Sequence, residues 1–362
     1  MLNSYDIGFD PGNSETCVVV TSSSGEQTAL AFPSFVSRGS FSELNRYRSM
    51  AGQGREMLPS EVLQTGEYIL SSLDGEATEY FVGALAISQG RLATSGRGDP
   101  HRYWSPRTLQ LLLTATGALI SDGEFGLHVV TGIPIETYSE QNRRNVREVL
   151  EGEHRFNLNG QERFASVRVE KVIMEGAGAM IAFGDNRVIR QAVMDIGGRT
   201  TDLYAADGQA PLIPLCRGVA LGVELAADFL NQRVHAQYGR VLAPKETRAI
   251  LRATVGSGQL PPIYVNGQEL SPNALRQWTE EALLSVGRDI VTFISQTWTN
   301  SELGMVATDM AKVLLVGGGA YYFLRDIATI IPHVTVPTQP ELANALGYSE
   351  LARQVRLRRE NG

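Results

Sequence analysis

Apolar residues in this chain fall into short runs that stop at glycine or asparagine, separated by longer stretches of helical period. Residues 4–9 and 16–21 are such runs. They predict two strands around a glycine-containing turn, with Ser22-Ser23-Ser24-Gly25 as the next turn. After Phe32-Pro33-Ser34, residues 37–60 are polar, rich in Gly, Ser and Arg, and weakly periodic, which predicts a peripheral subdomain or mobile loops. Short strands are predicted at 67–70 and 79–82. Residues 106–120 predict a mostly buried helix, 127–131 a buried strand ended by Gly132-Ile133-Pro134, and 140–150 an amphipathic helix. Asn159-Gly160 sits between alternating runs over 155–169, the signal of a hairpin with a type I′ turn. Residues 172–174 predict a further buried strand, followed by Glu175-Gly176-Ala177-Gly178 and a helix to about residue 183.

The second half repeats this order. Strands predicted at 191–195 and 202–206 flank a second glycine turn. Residues 222–238 predict a helix stopped by Gly239, and 245–253 another. Asn266-Gly267 marks a hairpin within 263–270. Ser271 as N-cap and Pro272 at the first helical position open a long helix to about residue 299. Val313-Leu314-Leu315-Val316 is a strand feeding Gly317-Gly318-Gly319-Ala320, and a last helix covers roughly 341–357. Two α/β halves with a glycine turn at corresponding places imply a duplicated domain. The 185 residues between Asp10 and Asp195 are too many for a solenoid repeat.

Composition narrows the function classes. A chain of 362 residues favours two domains and can bury roughly 75% of its unfolded surface. Its formal charge of −7 makes direct binding along a nucleic-acid backbone a poor expectation, and Arg353, Arg356, Arg358 and Arg359 read as a solvated helix end. Two cysteines, Cys17 and Cys216, make no disulfide framework. There is no signal-peptide pattern and no run of 18 apolar residues, so the expectation is a cytoplasmic protein with no membrane partner. His101, His128, His154, His235 and His333 lack zinc-ligand spacing, and no nucleophile elbow or Walker-type phosphate loop occurs.

The chemistry lies in the repeated turn. Asp10-Pro11-Gly12-Asn13-Ser14 and Asp195-Ile196-Gly197-Gly198-Arg199-Thr200-Thr201-Asp202 each place an Asp at a strand end before a turn of small residues. Such a turn directs backbone N–H groups at an anion, and the Asp can hold a hydrated metal beside it. Two of them facing each other would clamp a nucleotide triphosphate.

These residues resemble the superfamily of actins, heat-shock chaperone ATPases and sugar kinases, and within it the bacterial and archaeal actin-like proteins of the ParM type. The resemblance spans nearly the whole chain. Asp10-Pro-Gly-Asn-Ser matches its first phosphate motif, Asp195-Ile-Gly-Gly-Arg-Thr-Thr-Asp202 its second, and Val316-Gly-Gly-Gly-Ala320 its adenosine motif. Thr131-Gly132-Ile133-Pro134, Val172-Ile-Met-Glu175-Gly-Ala-Gly and Asn344-Ala345-Leu346-Gly347 resemble its strand-end and connecting segments. The implied fold is α/β, a duplicated ribonuclease-H-like actin ATPase fold with two lobes around a nucleotide cleft. Lobe I would be 1–188 with a peripheral insert at about 36–100, and lobe II 189–340 with an insert at about 216–300. Residues 341–362 would form a C-terminal helix returning toward lobe I.

The resemblance also implies roles. Asp10 and Asp195 would hold Mg²⁺ through its waters, and Glu175 would orient the attacking water. Amides of Gly12, Asn13 and Ser14 would meet the β-phosphate. Those of Gly198, Arg199 and Thr200, with the Thr200 hydroxyl, would meet the γ-phosphate, Gly317, Gly318 and Gly319 would let the backbone approach the α-phosphate and ribose, and Gly197, Thr201 and Ala320 would complete the nucleotide site. Glu224 and Lys245 would lie near ribose or adenine. Many relatives carry a Lys where this chain has Cys17, so Arg199 is expected to supply part of the missing charge. The nucleotide is ATP, or GTP, with Mg²⁺.

The length suits an actin-like core and leaves no room for a chaperone's peptide-binding domain, and no catalytic Asp for a sugar hydroxyl stands out. The expectation is therefore a filament-forming ATPase that assembles head to tail and acts in plasmid segregation or another cytoskeletal role, reaching DNA through an adaptor protein. Polymer contacts are expected at about 36–65 and 240–275. The alternative is a small-molecule kinase of the same superfamily.

Overall fold

The computed structural model describes residues 2–49, 63–94, 99, 101–185, 187, 189–299 and 305–361. They fall into two compact units, Met1–Ala182 with Leu342–Gly362, and Phe183–Glu341. Among the described residues no helix is long and apolar enough to cross a membrane.

The first unit is built on one mixed sheet. Its strands are β1 (Asn3–Pro11), β2 (Glu15–Thr21), β3 (Gln27–Pro33), β4 (Val36–Arg38), β5 (Glu67–Ser71), β6 (Tyr80–Gly83), β7 (Arg91–Thr94), β8 (Glu124–Ile133), β9 (Gly152–Leu158) and β10 (Gln161–Met174). Their order is β3-β2-β1-β8-β10-β9-β5-β6-β4-β7, with β1 antiparallel to β2 and parallel to β8. Alternation along β1 decides what each face meets. Ile7 and Phe9 enter the main core with Val18, Leu111, Leu112, Leu113, Val129 and Val146, under helices Pro106–Leu119 and Glu140–Leu150. Full burial of each leucine is worth about 1.5–3 kcal/mol. Asp6 and Gly8 point to the opposite face, where helix Ala343–Asn361 lies across β1, β2 and β8.

That helix sits unusually low. A Cβ at Gly8 would lie 1.8 Å from the Ala345 carbonyl oxygen, and one at Gly347 would lie 1.8 Å from that of Gly178, so only glycine permits the approach. Beside it, the buried Asp6 carboxylate receives a bidentate pair from Arg356, Nε at 2.8 Å and Nη2 at 2.9 Å. The pair pushes the Arg356 pKa upward, chiefly through its hydrogen bond to Asp6.

The second unit repeats the central arrangement. Strand β11 (Arg190–Ile196) is antiparallel to β12 (Thr201–Asp207) and parallel to the later strand Lys312–Val316, as β1 is to β2 and β8. The short strands β13 (Ala210–Pro211) and β14 (Arg217–Val219) both pair with β12, and a hairpin of β15 (Tyr264–Val265) and β16 (Gln268–Glu269) stands apart. Lys312–Val316 is β17, and β18 (Val334–Thr335) runs parallel beside it. Helices Pro272–Trp298 and Ala320–Ala328 pack Val286, Ile290, Phe323 and Ile327 onto Met194, Leu203 and Leu315. A smaller cluster joins Leu230 and Val234 to Ile250 and Leu275.

Three readings from the sequence change. Residues 172–174 end β10 and are not a separate strand, because a bulge between Val169 and Lys171 interrupts the alternation at Glu170. Part of the stretch expected to be irregular is ordered: β4 is followed by helix Phe41–Ser49, whose Leu44 packs against Phe81 and Leu85. The remainder of the expected insert at 50–62, 95–98 and 100 lies outside the described residues. Helix Ala320–Ala328 grows directly from the glycine turn, with no side-chain cap to announce it.

Candidate functional site

In the first unit the β1–β2 turn carries Gly12, Asn13 and Ser14. Its closing strand pairs are Pro11 with Thr16 and Asp10 with Cys17. Ser34 clamps the turn from outside. Its Oγ donates to the Gly12 carbonyl at 2.7 Å and lies 2.8 Å from Thr16 Oγ1, and its amide donates to the Ser14 carbonyl at 3.1 Å. The Asn13 side-chain oxygen is buried with no hydrogen-bond partner in the structure, and so is Thr131 Oγ1 in the strand next to β1. Buried polar atoms without partners are costly, so both suit a site that receives a polar ligand. Cys17 is 4% exposed and packs with Val19, Leu342 and Ala345.

Glu175 follows β10 and is 7% exposed. Its amide donates to the Ile133 carbonyl at 3.0 Å, holding it at the strand end next to Pro134. Its Oε1 accepts a 2.9 Å hydrogen bond from the Tyr103 hydroxyl. Asn344 Oδ1 accepts from the amides of Gly176 and Ala179 at 3.1 and 3.2 Å, so the two predicted connecting segments meet within this unit.

In the second unit the β11–β12 turn closes through Gly197 N–H to the Thr200 carbonyl, 2.9 Å. The next helix, Val223–Tyr238, starts on this turn: the amides of Val223 and Glu224 donate to the carbonyls of Gly197 and Gly198 at 3.2 and 2.7 Å. That uses the carbonyl side of the turn for scaffolding. Arg199 Nη1 lies 3.7 Å from Glu224 Oε2, both side chains partly exposed. Thr201 is fully buried and its hydroxyl donates to the Leu221 carbonyl at 2.8 Å, while Lys245 is exposed on the first turn of helix Pro244–Val255.

The third turn joins this cluster. Gly319 N–H donates to the Ile196 carbonyl at 2.7 Å, and Gly317 N–H to the Pro340 carbonyl at 2.8 Å. Gly317 has φ 78° and faces Asp195, whose Oδ1 would be 2.4 Å from any Cβ there, while nothing lies within 4 Å of a Cβ at Gly318. Backbone geometry and space both demand glycine at 317. The second unit thus gathers Asp195, Gly197–Thr200, Glu224 and Gly317–Ala320, and the first gathers Asp10, Gly12–Ser14 and Glu175.

Among the described residues no three His, Cys, Asp or Glu side chains converge as a metal cage. A magnesium ion held through water by a carboxylate and by phosphate oxygens needs no cage; Asp10 in the first unit and Asp195 in the second are each half-buried at a strand end beside a glycine turn, and each is a donor of that kind. Ser34, which holds the first turn, and Tyr103, which bonds Glu175, were missed by motif reading. Pro106, which opens the helix behind them, was legible, but their contacts were not.

Comparison with known proteins bears on the family and the fold. Residues 8–178 match the family model for the N-terminal domain of actin-like proteins, and residues 193–328 the model for the C-terminal region of the archaeal MreB-like actin homologue. No curated protein matches the chain significantly by sequence. Among solved structures, the archaeal actin homologue Ta0583 superposes with a TM-score of 0.71 at 18% identity, covering 98% of this chain and 100% of its own. A 15-stranded ParM filament from Clostridium botulinum gives 0.75 at 20% identity, with 98% and 100% covered. ParM from Bacillus thuringiensis with AMPPNP gives 0.64 at 15% identity, with 99% of each chain covered.

Proposed function

Since the chain belongs to the actin-like superfamily and has its two-domain α/β fold, we propose that it is a nucleotide-dependent, filament-forming ATPase. The observation that carries this reading is the duplicated hairpin: each unit sets an Asp at the end of its central strand, beside a turn of small residues, with a parallel strand on the other side. Lobe I comprises 1–188, lobe II 189–340, and 341–362 returns toward lobe I.

When bound, Mg²⁺ would neutralise phosphate charge, held through water by Asp10 and Asp195. The amides of Gly12, Asn13 and Ser14 bind one phosphate, and those of Gly198, Arg199 and Thr200 another. Glu175 orients the attacking water. Gly317, Gly318 and Gly319 let the backbone approach the α-phosphate and ribose, near Glu224. Adenine nucleotide is favoured by the AMPPNP held by a ParM of the same fold, and GTP is the second candidate.

Self-assembly is head to tail, in an open polymer. The ParM filament of the same fold supports this reading. So do exposed apolar residues near the expected contact region, Val241 at 67%, Tyr264 at 55% and Val255 at 40%. Of the other contact region, about 36–65, residues 50–62 lie outside the described set. The role is cytoskeletal and cytoplasmic, in plasmid segregation or another cytoskeletal task; in plasmid segregation an acidic chain would reach DNA through an adaptor protein.

Light scattering and pelleting after addition of Mg-ATP test the proposal. Both rise, and ATPase activity per subunit climbs above a threshold protein concentration. A flat trace together with acceptor-stimulated ADP release would instead establish a small-molecule kinase.

A further inference from the structure

Glu175 lies 72 positions from the side chain that holds it, and the partner belongs to a segment with no recognisable motif. We propose that residues 102–107 are a positioning element for nucleotide hydrolysis: Tyr103, polarised by Arg102, orients the Glu175 carboxylate, while Arg107 braces the β1–β2 turn through Ser34. The proposal rests on the hydrolytic reading above and adds to it the groups that hold its catalytic carboxylate.

Three observations support it. Tyr103 is 4% exposed and its hydroxyl donates to Glu175. The Arg102 guanidinium lies over the Tyr103 ring, 4.2 Å from its centroid, and donates to the same hydroxyl oxygen. A phenol that accepts from a cation becomes a stronger donor, so the order Arg102, Tyr103, Glu175 favours an ionised carboxylate held in one orientation. A water-orienting base needs both properties.

The same segment reaches the phosphate turn. Arg107 Nη1 donates to the Ser34 carbonyl at 2.7 Å, and Ser34 in turn bonds Gly12 and Ser14. Arg107 is 9% exposed. Burial, then the nearby Arg102, bring its pKa down to about 10, so it stays charged at neutral pH. Its position is an alternative source of positive charge beside a turn whose neighbour is Cys17, not lysine. The segment is itself stiff: Ser105 Oγ donates to the Arg102 carbonyl at 2.9 Å, and Pro106 starts the helix that carries Arg107.

The experiment compares wild type with Tyr103→Phe, Arg102→Met, Arg102→Lys and Ser34→Ala. Tyr103→Phe should lower kcat about tenfold to hundredfold, as expected for one hydrogen bond to a charged group, with KM for ATP within about twofold. Losing a donor disfavours the carboxylate's charged form, so the acid limb of the pH–rate profile moves to higher pH. In nucleotide-free protein, the ¹³C-NMR titration of the Glu175 carboxyl should move the same way. Arg102→Met should shift both readouts in the same direction, and Arg102→Lys should restore part of each. Ser34→Ala should weaken ATP binding severalfold and leave the acid limb in place. A folded Tyr103→Phe protein with unchanged kcat and unchanged Glu175 titration overturns the inference, even if its melting temperature falls. Wild-type protein that binds and hydrolyses no nucleotide overturns the hydrolytic reading itself.

Discussion

Replacing Arg356 with methionine strands a carboxylate. Asp6 has a side chain 1% exposed, and its two oxygens face Arg356 Nε and Nη2 at 2.8 and 2.9 Å. Removing one partner of such a pair costs about 3–5 kcal/mol, because the remaining charge is buried and uncompensated. The first unit has about 200 residues, and for that size 1 kcal/mol moves the melting temperature by roughly 2–4 °C, so the loss is roughly 6–20 °C. Asp6→Asn should cost less, since Arg356 keeps Glu360 at 3.0 Å and that carboxylate is half exposed. The double variant Asp6→Leu/Arg356→Met removes both charges and should recover most of the loss. Differential scanning calorimetry at pH 7 reads both the loss and its recovery. A loss below about 1 kcal/mol, or a double variant no better than the single, refutes the reasoning.

Four further outcomes are expected. Asp10→Ala or Asp195→Ala should abolish tight Mg-ATP binding in calorimetric titration, and Glu175→Gln should keep binding while hydrolysis falls by about 10²–10⁴. Arg199→Ala should weaken ATP binding severalfold, and an unchanged affinity would assign Arg199 to its ion pair with Glu224 alone. Gly347→Ala should destabilise the first unit by at least the upper end of about 1–3 kcal/mol, because the overlap is with backbone and no rotamer relieves it; a melt within 2 °C of wild type would contradict this. Burial raises the Cys216 pKa above its usual value of 9.0, so folding keeps a proton that the unfolded thiol loses, and stability should decline as pH rises past about 9. A thiol reagent at pH 8 should therefore label this site only on unfolding.

Much of the fold was readable because its signals are local. Asn159-Gly160 and Asn266-Gly267 turn as expected, with φ of 54° and 86°, and 50° and 80°. Ser271 caps its helix by accepting from the Ala274 amide. Strand β3 was missed because its burial pattern is mostly exposed and it is recognisable as a strand only through pairing with β2. The glycine turns and their aspartates were visible because the chain states them twice. The groups around Glu175 were not. Tyr103 and Arg107 donate hydrogen bonds to residues 72 and 73 positions away, and Arg356 meets Asp6 across 350. No periodicity or spacing encodes such pairings, since they depend on which elements the sheet order makes neighbours.

The glycine seam beneath the last helix has a mechanical consequence. Where main chain rests on main chain there are no rotamers to yield and no flexible side chains to cushion a shift. Any sliding of the 343–361 segment must push on the carbonyl of Gly178, three residues beyond Glu175, without attenuation. The last helix is therefore rigidly coupled to the turn that follows Glu175.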